Sequence, residues 1–395
     1  MNFKEEALKI KDELISIRRR LHQYPELGME EYKTSKYIKN FLLQEKIEYK
    51  EYAKTGVCGI IKGTKDSLNN KKNIALRADI DGLPIQDEKS CDYSSKIKGR
   101  MHACGHDAHM TILLGAAKIL NKNKEYFSGN IKLIFEPAEE TIGGARLMIE
   151  EGVLENPRVD CICGLHVEET IECGNIMLKS GIVNAASNPF EITIKGSGGH
   201  GAYPHNTVDP IIIASHVIIA IQTIISREIN TLNPAVITVG SIHGGTAKNI
   251  IPEEVKISGI IRTMSKEDRS FVKERMINIV NMICKSYRAK AEIKIEDSYP
   301  NLYNDKNMVD LFISSAEKVI GRENILLQEY PKMGVESFSY FANEVPAVFY
   351  FLGCRNEEKN IINPAHSSLF DIDEECLSIG VAIQCQMAFD YLTRN

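Results

Sequence analysis

Residues 101–109 read Met-His-Ala-Cys-Gly-His-Asp-Ala-His, which places three histidines, one cysteine and one aspartate in a single short run. Cysteine, histidine and carboxylate are the donors that borderline-soft divalent metals take. Cys104 and His106 stand one residue apart and can turn toward one ion where the backbone is extended or turning. The apolar run 112–120 follows at helical spacing, so the cluster is expected at a helix N-terminus. That position lowers a thiol pKa and favours the thiolate a metal needs. A polar loop capping a helix, with Asp107 as a first-turn acid, would account for any one of these residues alone. It does not account for the cluster once further donors are found elsewhere in the chain.

Further donors stand where strands end. An apolar strand over 73–78 runs into Asp79-Ile80-Asp81-Gly82-Leu83-Pro84, and a second over 130–135 runs into Glu136-Pro137-Ala138-Glu139-Glu140. A third, over 159–165, ends at His166, and Asn363-Pro364-Ala365-His366 follows a strand over 345–352. Strands alternating with helices imply a largely parallel sheet. Open sheets of this kind bind ligands beyond the carboxyl ends of their strands. Each acid or histidine alone has an ordinary explanation as a turn residue, a helix-start acid or a hydrogen-bonded core histidine. Their joint placement favours one site.

The elements that carry these residues form an interrupted α/β pattern. Helices are expected over 5–20, 30–45 and 308–320, from Gly143-Gly144 to 154, and over 373–393, with a strand over 56–63 and a polar loop over 65–72. From residue 185 the order becomes strand 190–195, helix 209–227, strands 236–243 and 255–262, helix 266–285 and strand 291–297. That βαββαβ order is the ferredoxin-like split unit. It predicts an inserted domain over 185–297 within a catalytic domain made of 1–184 and 298–395.

Composition narrows the function. A chain of 395 residues with 43% apolar and 26% charged residues has an ordinary soluble core. A net charge of -5 without a long basic run excludes nucleic acid and anionic membrane surfaces as expected partners. The charged N-terminal stretch reads as an amphipathic helix and not a signal peptide. The apolar run 211–225 is expected to be too short to span a bilayer. Ten cysteines without framework spacing suit a reducing cytoplasm. Gly196-Ser197-Gly198-Gly199 lacks the helix spacing and downstream acid of a dinucleotide site, and no Walker or Gly-x-Ser-x-Gly pattern occurs.

The assembled motifs resemble the aminoacylase and glutamate-carboxypeptidase superfamily of di-metal amidohydrolases. The branch is that of hippurate hydrolases, indoleacetyl-amino-acid hydrolases and N-acetyldiaminopimelate deacetylases. The resemblance rests on Arg20-Leu21-His22 with Pro25-Glu26-Leu27-Gly28, residues 77–84, 101–109 and 137–140, Gly164-Leu165-His166, Gly198-Gly199-His200 with Pro204-His205, Asn249-Ile250-Ile251-Pro252, and Ala365-His366-Ser367. It implies a zinc-peptidase-like α/β domain carrying a lid that dimerises. It also implies two divalent ions (Zn, Mn, Co or Ni) on Cys104, His106, Glu140, His166 and His366, with Cys104 bridging where other branches use Asp. Glu139 would be the general base. Asp79 and Asp81 match a segment that elsewhere holds a ligand His and an orienting Asp, so His106 would replace that ligand from a different strand end. His200, Asn249 and Arg262 match lid positions that contact substrate or transition state. Four residues depart: Ser337 stands where the family often has Asp, Asn188 where it usually has Asp, and Thr141-Ile142 where it is richer in glycine, which bears on substrate preference. The expected activity is hydrolysis of N-acyl amino acids. A metallo-aminopeptidase or dipeptidase shares the chemistry, and a silent metal-binding protein is disfavoured by Glu139.

Overall fold

In the computed structural model, which describes residues 1–66 and 72–394, the apolar strands assemble into one eight-stranded sheet. Five of its strands are β1 (Glu48–Tyr52), β2 (Gly56–Lys62), β3 (Asn73–Asp79), β4 (Asn130–Glu136) and β5 (Cys161–Glu172). The order is β1-β2-β4-β3-β5, followed by Ala347–Arg355, Ile176–Leu178 and Ile325–Leu327. The four central strands β4, β3, β5 and Ala347–Arg355 are mutually parallel, and antiparallel pairs flank them. The sheet is therefore mixed, with its parallel part where the functional motifs lie. Most of the expected polar loop over 65–72 lies outside the described residues.

Register carries the donors to one end. Asp79 is opposite Glu136, and His166 is opposite Phe351. β3 and β4 are buried almost throughout because both faces of the parallel region are covered, so their sequences are continuous apolar runs without alternation. The helix of the metal-type motif, His106–Lys122, packs on this sheet and is buried from His106 through Ala117. A Cβ on Gly115 would stand 2.6 Å from Leu14 and 2.7 Å from Val381, so glycine lets the neighbouring helices approach closely.

The N-terminal segment differs from the single helix expected over 5–20. It breaks at Ile10 into α1 (Phe3–Lys9) and α2 (Lys11–Gln23), which are followed by α3 (Tyr32–Gln44) and α4 (His106–Lys122). α2 is tied to α4 by Arg18, which is fully buried and bonds Asp107 at 2.9 Å and Asp371 at 2.7 Å. His22 Nδ1 reaches the same Asp107 carboxylate at 2.7 Å. Burial would depress the Arg18 guanidinium, but Asp107, Asp371 and Glu374 outweigh it and hold it well above its ordinary value. β5 also differs: it runs on to Glu172, so His166 lies inside a strand and not past its end.

The chain divides into two compact units, one of 1–183, 303–330 and 336–395, the other of 184–302 and 331–335. The sequence pattern places these boundaries at 184/185 and 297/298. The short 331–335 segment joins the second unit through a bridge between Asn184 and Lys332. The second unit has its own antiparallel sheet in the order Ala235–Gly244, Glu254–Thr263, Ala186–Lys195, Lys290–Ile295. Helices Pro210–Thr223 and Lys266–Ser286 cover it, with Asp209 and Ser265 accepting hydrogen bonds as their N-caps. The strand order and two crossovers are those of the ferredoxin-like unit. The apolar run 211–225 is longer than expected: with its π turn, the helix spans 210–228, enough by length and composition to cross a membrane. Ile213, Ala214, Val217, Ile221 and Ile224 are buried within the unit, as in the core helix of a folded domain.

Candidate metal centre and active site

α4 begins at His106, after Gly105 at φ 86°, so the motif sits at a helix N-terminus as its spacing predicts. The turn presents Cys104 outward from the buried helix. Cys104 Sγ stands 3.2 Å from His166 Nε2 and 3.3 Å from His366 Nε2. His366 Nε2 is 3.2 Å from Glu140 Oε1, and His106 Nε2 is 3.9 Å from the same oxygen. Two donor triads result, Cys104–His106–His166 and Cys104–Glu140–His366, each with its donor atoms within 4.8 Å of one another. They share only Cys104. His106, Glu139 and Glu140 form a third close group.

The protonation pattern fits cations in these triads. His106 Nδ1 faces two acceptors, Asp81 O at 2.9 Å and Asp81 Oδ1 at 3.1 Å, so it carries a proton and the ring turns Nε2 toward the other donors. That Nε2 is buried, with no hydrogen-bond partner among the described residues. His166 Nδ1 likewise donates to Val167 O at 2.5 Å and turns Nε2 toward Cys104. A donor whose other nitrogen is fixed by a carbonyl or carboxylate is the usual arrangement of a metal-ligating histidine.

The model of peptidase family M20/M25/M40 matches residues 75–390. The chain belongs to this family. It is a metal-dependent hydrolase. It is 40% identical over 393 residues to thermostable carboxypeptidase 1 of Saccharolobus solfataricus, covering 98% of each chain. It is 41% identical over 369 residues to N-acetyl-L-cysteine deacetylase of Bacillus subtilis, covering 93% of this chain and 85% of the relative. A solved dinuclear metal-binding peptidase of the M20 family from Bacillus subtilis superposes with a TM-score of 0.82 at 34% identity, covering 97% of this chain and 99% of the other.

Within this M20 site the paired glutamates are driven apart. Burial, Glu336 and Glu140 push Glu139 well above the usual carboxylate range. Burial opposes ionisation of Glu140 too, but His366 and His106 draw it down to about 2. His106 and His366 are both pushed up by the acids around them, so the cluster favours positive charge where the triads lie. The Cys104 thiol corrects an expectation. Burial and the Glu140 and Glu139 carboxylates push it well above its ordinary value despite the helix N-terminus, so its thiolate requires a cation beside it.

Asp79 and Asp81 act through other residues. Asp81 Oδ1 takes His106 and Oδ2 accepts the Glu140 N–H at 3.1 Å, while Asp79 takes Arg77 at 2.7 Å and His109 at 2.6 Å. All four oxygens are engaged by protein, so both are positioning groups and not groups facing a reactant. His106 reaches the cluster from the start of α4 and not from a strand end. Sequence reasoning also missed the support behind Glu139. Ser337 N–H donates to Glu139 Oε1 at 2.9 Å, and its hydroxyl bonds Glu136 and receives Arg77 at 2.9 Å. The signal for this network is Arg77 itself, a charge in the middle of an apolar strand and fully buried.

The two aspartate-to-amide or hydroxyl departures are structural in place. Ser337 lies behind Glu139, buried. Asn188 is buried in the second unit, donating to Glu296 O at 2.6 Å and Asp297 Oδ1 at 2.9 Å and accepting from Arg269 at 2.7 Å. Thr141 and Ile142 are exposed in the turn after Glu140. His200, Asn249 and Arg262 all lie on the second unit. His200 pairs with Ile250, next to Asn249, whose carbonyl accepts the Gly201 N–H at 2.8 Å. His200 Nδ1 accepts from Ala202 N–H at 3.0 Å, so its Nε2 carries a proton. Arg262, on the strand Glu254–Thr263, has a buried Nη1 with no hydrogen-bond partner among the described residues, and burial lowers its pKa.

Proposed function

We propose that this chain hydrolyses the amide bond of N-acyl amino acids with two divalent ions and Glu139 as general base. The observation that carries the proposal is the pair of donor triads sharing Cys104, with the Glu139 carboxylate beside them. Cys104, His106 and His166 would hold one ion, and Cys104, Glu140 and His366 the other. Bound there, the ions would supply Lewis acidity and make a water nucleophilic near neutral pH. Sulfur, imidazole and carboxylate donors admit Zn, Mn, Co or Ni.

The chain's own residues do the rest. Ser337 N–H anchors Glu139 Oε1 at 2.9 Å. Glu139 takes the proton of the attacking water and delivers it to the leaving nitrogen. A high proton affinity at Glu139 beside a low one at Glu140 suits these separate roles. His200 Nε2–H is assigned to the developing oxyanion, with Asn249 beside it, and Arg262 to the substrate's carboxylate. These assignments rest on the resemblance and on the donor each side chain keeps free.

The relatives' names support an amino-acid conjugate as substrate: one is an N-acetyl-L-cysteine deacetylase and another a carboxypeptidase. Both names describe cleavage of an amide next to an amino acid with a free carboxylate, with acetyl or peptide as the acyl part. An aminopeptidase or dipeptidase would instead have to hold a free ammonium. The test is a panel of hippurate, N-acetyl amino acids and dipeptides on purified protein with each metal added. Turnover confined to free-amine dipeptides would overturn the proposal. Arg262→Ala should raise KM for N-acyl amino acids and spare their amides, because an Arg fork binds a carboxylate in two places. Equal loss on both would remove Arg262 from substrate binding.

We also propose a homodimer through the second unit. Its helix Pro210–Thr223 leaves Ile212 52% and Ile219 69% exposed, and Ile242 and Ile250 are exposed on its strands. Such a face is covered by a two-fold mate in many proteins. Light scattering should give twice the chain mass. Mixing inactive Glu139→Gln and His200→Ala subunits should restore part of the activity if His200 serves the partner's site. Formed heterodimers without recovered activity would place His200 in its own subunit's site.

A further inference from the structure

His109 closes a line of buried hydrogen bonds that crosses the donor cluster. The residue is 1% exposed. Val167 N–H donates to His109 Nε2 at 2.9 Å, so Nε2 is unprotonated and Nδ1 carries the proton. That proton goes to Asp79 Oδ1 at 2.6 Å, while Asp79 Oδ2 is held by Arg77 at 2.7 Å. The imidazole is neutral and oriented, and its lone pair is already engaged. Asp79, His106 and His109 therefore do not form an ion site, although their donor atoms lie within 4.8 Å of one another.

Its role is set by Val167, which follows His166. A Cβ on Gly105 would stand 2.2 Å from Val167 Cγ2 and 3.7 Å from His109 Nε2. With φ at 86° as well, Gly105 must be glycine for the Cys104–His106 turn and the strand at His166 to meet this closely. The His109 and His166 rings meet edge to face, with centroids 4.8 Å apart at 65°.

We infer that His109 is a positioning residue: through the Val167 N–H it fixes the backbone from which His166 reaches Cys104. It thereby sets the affinity of the ion shared by Cys104, His106 and His166, and leaves the ion of Cys104, Glu140 and His366 largely unchanged. The inference rests on the two-ion reading proposed above.

The test is titration of Zn²⁺, and separately Mn²⁺, into metal-stripped full-length protein, with the affinity of each ion read by calorimetry and the stoichiometry by elemental analysis. Wild type should take two ions. His109→Leu removes both hydrogen bonds and should weaken one ion by about 10–100-fold, the usual effect of losing an outer-shell partner, and the other only a few-fold. His109→Gln places an oxygen near the Nε2 position to receive Val167 N–H and should recover most of the affinity. His109→Asn reaches only the Nδ1 position and should not. If the leucine variant does not fold, the glutamine and asparagine variants carry the comparison. In a His166→Ala background, the same substitution should add no further loss. Unchanged two-ion binding, equal loss of both ions, equal behaviour of Gln and Asn, or full loss in the His166→Ala background would each overturn the inference. A wild-type chain that takes fewer than two ions would instead overturn the two-ion reading.

Discussion

Glu139→Gln is expected to lower kcat by at least about 10²–10⁴-fold, the range for loss of a general base, while two ions remain bound. The glutamine side chain has nearly the same shape. Its amide oxygen can still accept the Ser337 N–H that now reaches Glu139 Oε1 at 2.9 Å, so the anchor survives. Its other terminal atom becomes an NH₂ group, which cannot take a proton. The loss should lie at the upper end of the range, because the same carboxylate is assigned to both proton steps. Thermal stability should not fall: burial, Glu336 and Glu140 all disfavour the charged carboxylate, and the neutral amide removes that conflict. Glu139→Asp should also lose rate, since a shorter chain cannot hold the Ser337 N–H and face the reactants together. The measurements are kcat, metal stoichiometry and the unfolding midpoint on the same preparations. A glutamine variant with near-wild-type kcat would place the base elsewhere, and one that lost its ions would place Glu139 among the donors.

Much of this arrangement is legible in the sequence because parallel strands are buried on both faces. The runs at β3 and β4 announce themselves as continuous apolar stretches, and the residues that follow them must lie at one end of the sheet. The ligand-type residues around Cys104 are legible as a group for the same reason, although no two of the motifs are adjacent in the chain. Polar edges are less legible. β1, Glu-Tyr-Lys-Glu-Tyr, carries the charges that keep an edge strand from pairing further, and those charges erase the alternation by which a strand is recognised. His166 lies inside β5 because the strand continues through polar Glu168, Glu169 and Thr170, which read as its end. The support around the donors is hidden for a different reason. Arg77, His109 and Ser337 work through hydrogen bonds to residues far away in sequence, and Ser337 uses its backbone N–H, which any residue except proline would offer. The segment 331–335 carries no mark at all of its place in the second unit.

Cys104→Ala is expected to abolish binding of both ions, and activity with them, whereas His166→Ala or His366→Ala should each weaken one ion. The asymmetry follows from the geometry: Cys104 Sγ is 3.2 Å from His166 Nε2 and 3.3 Å from His366 Nε2, and it is the one residue common to the two triads. Loss of a direct donor should exceed the about 10–100-fold typical of an outer-shell partner. Cys104→Asp offers a carboxylate that can bridge two ions and should recover part of the binding, as the branches with Asp at this place suggest. The thiol's environment adds a pH dependence with a definite sign. Burial and the neighbouring carboxylates raise its pKa, so at neutral pH the stripped protein holds the thiol form and should react slowly with iodoacetamide. The rate should climb as pH rises above the ordinary thiol range. A divalent ion reverses the balance by taking the thiolate as ligand and releasing the proton, so metal affinity should strengthen with rising pH. Elemental analysis after dialysis, with circular dichroism to establish folding, checks the first part, and alkylation followed by mass spectrometry at Cys104 checks the second. A folded Cys104→Ala protein that still holds two ions would mean that the two triads do not share a ligand. Fast alkylation of the stripped protein at neutral pH would mean that the helix N-terminus, and not the burial, governs the thiol.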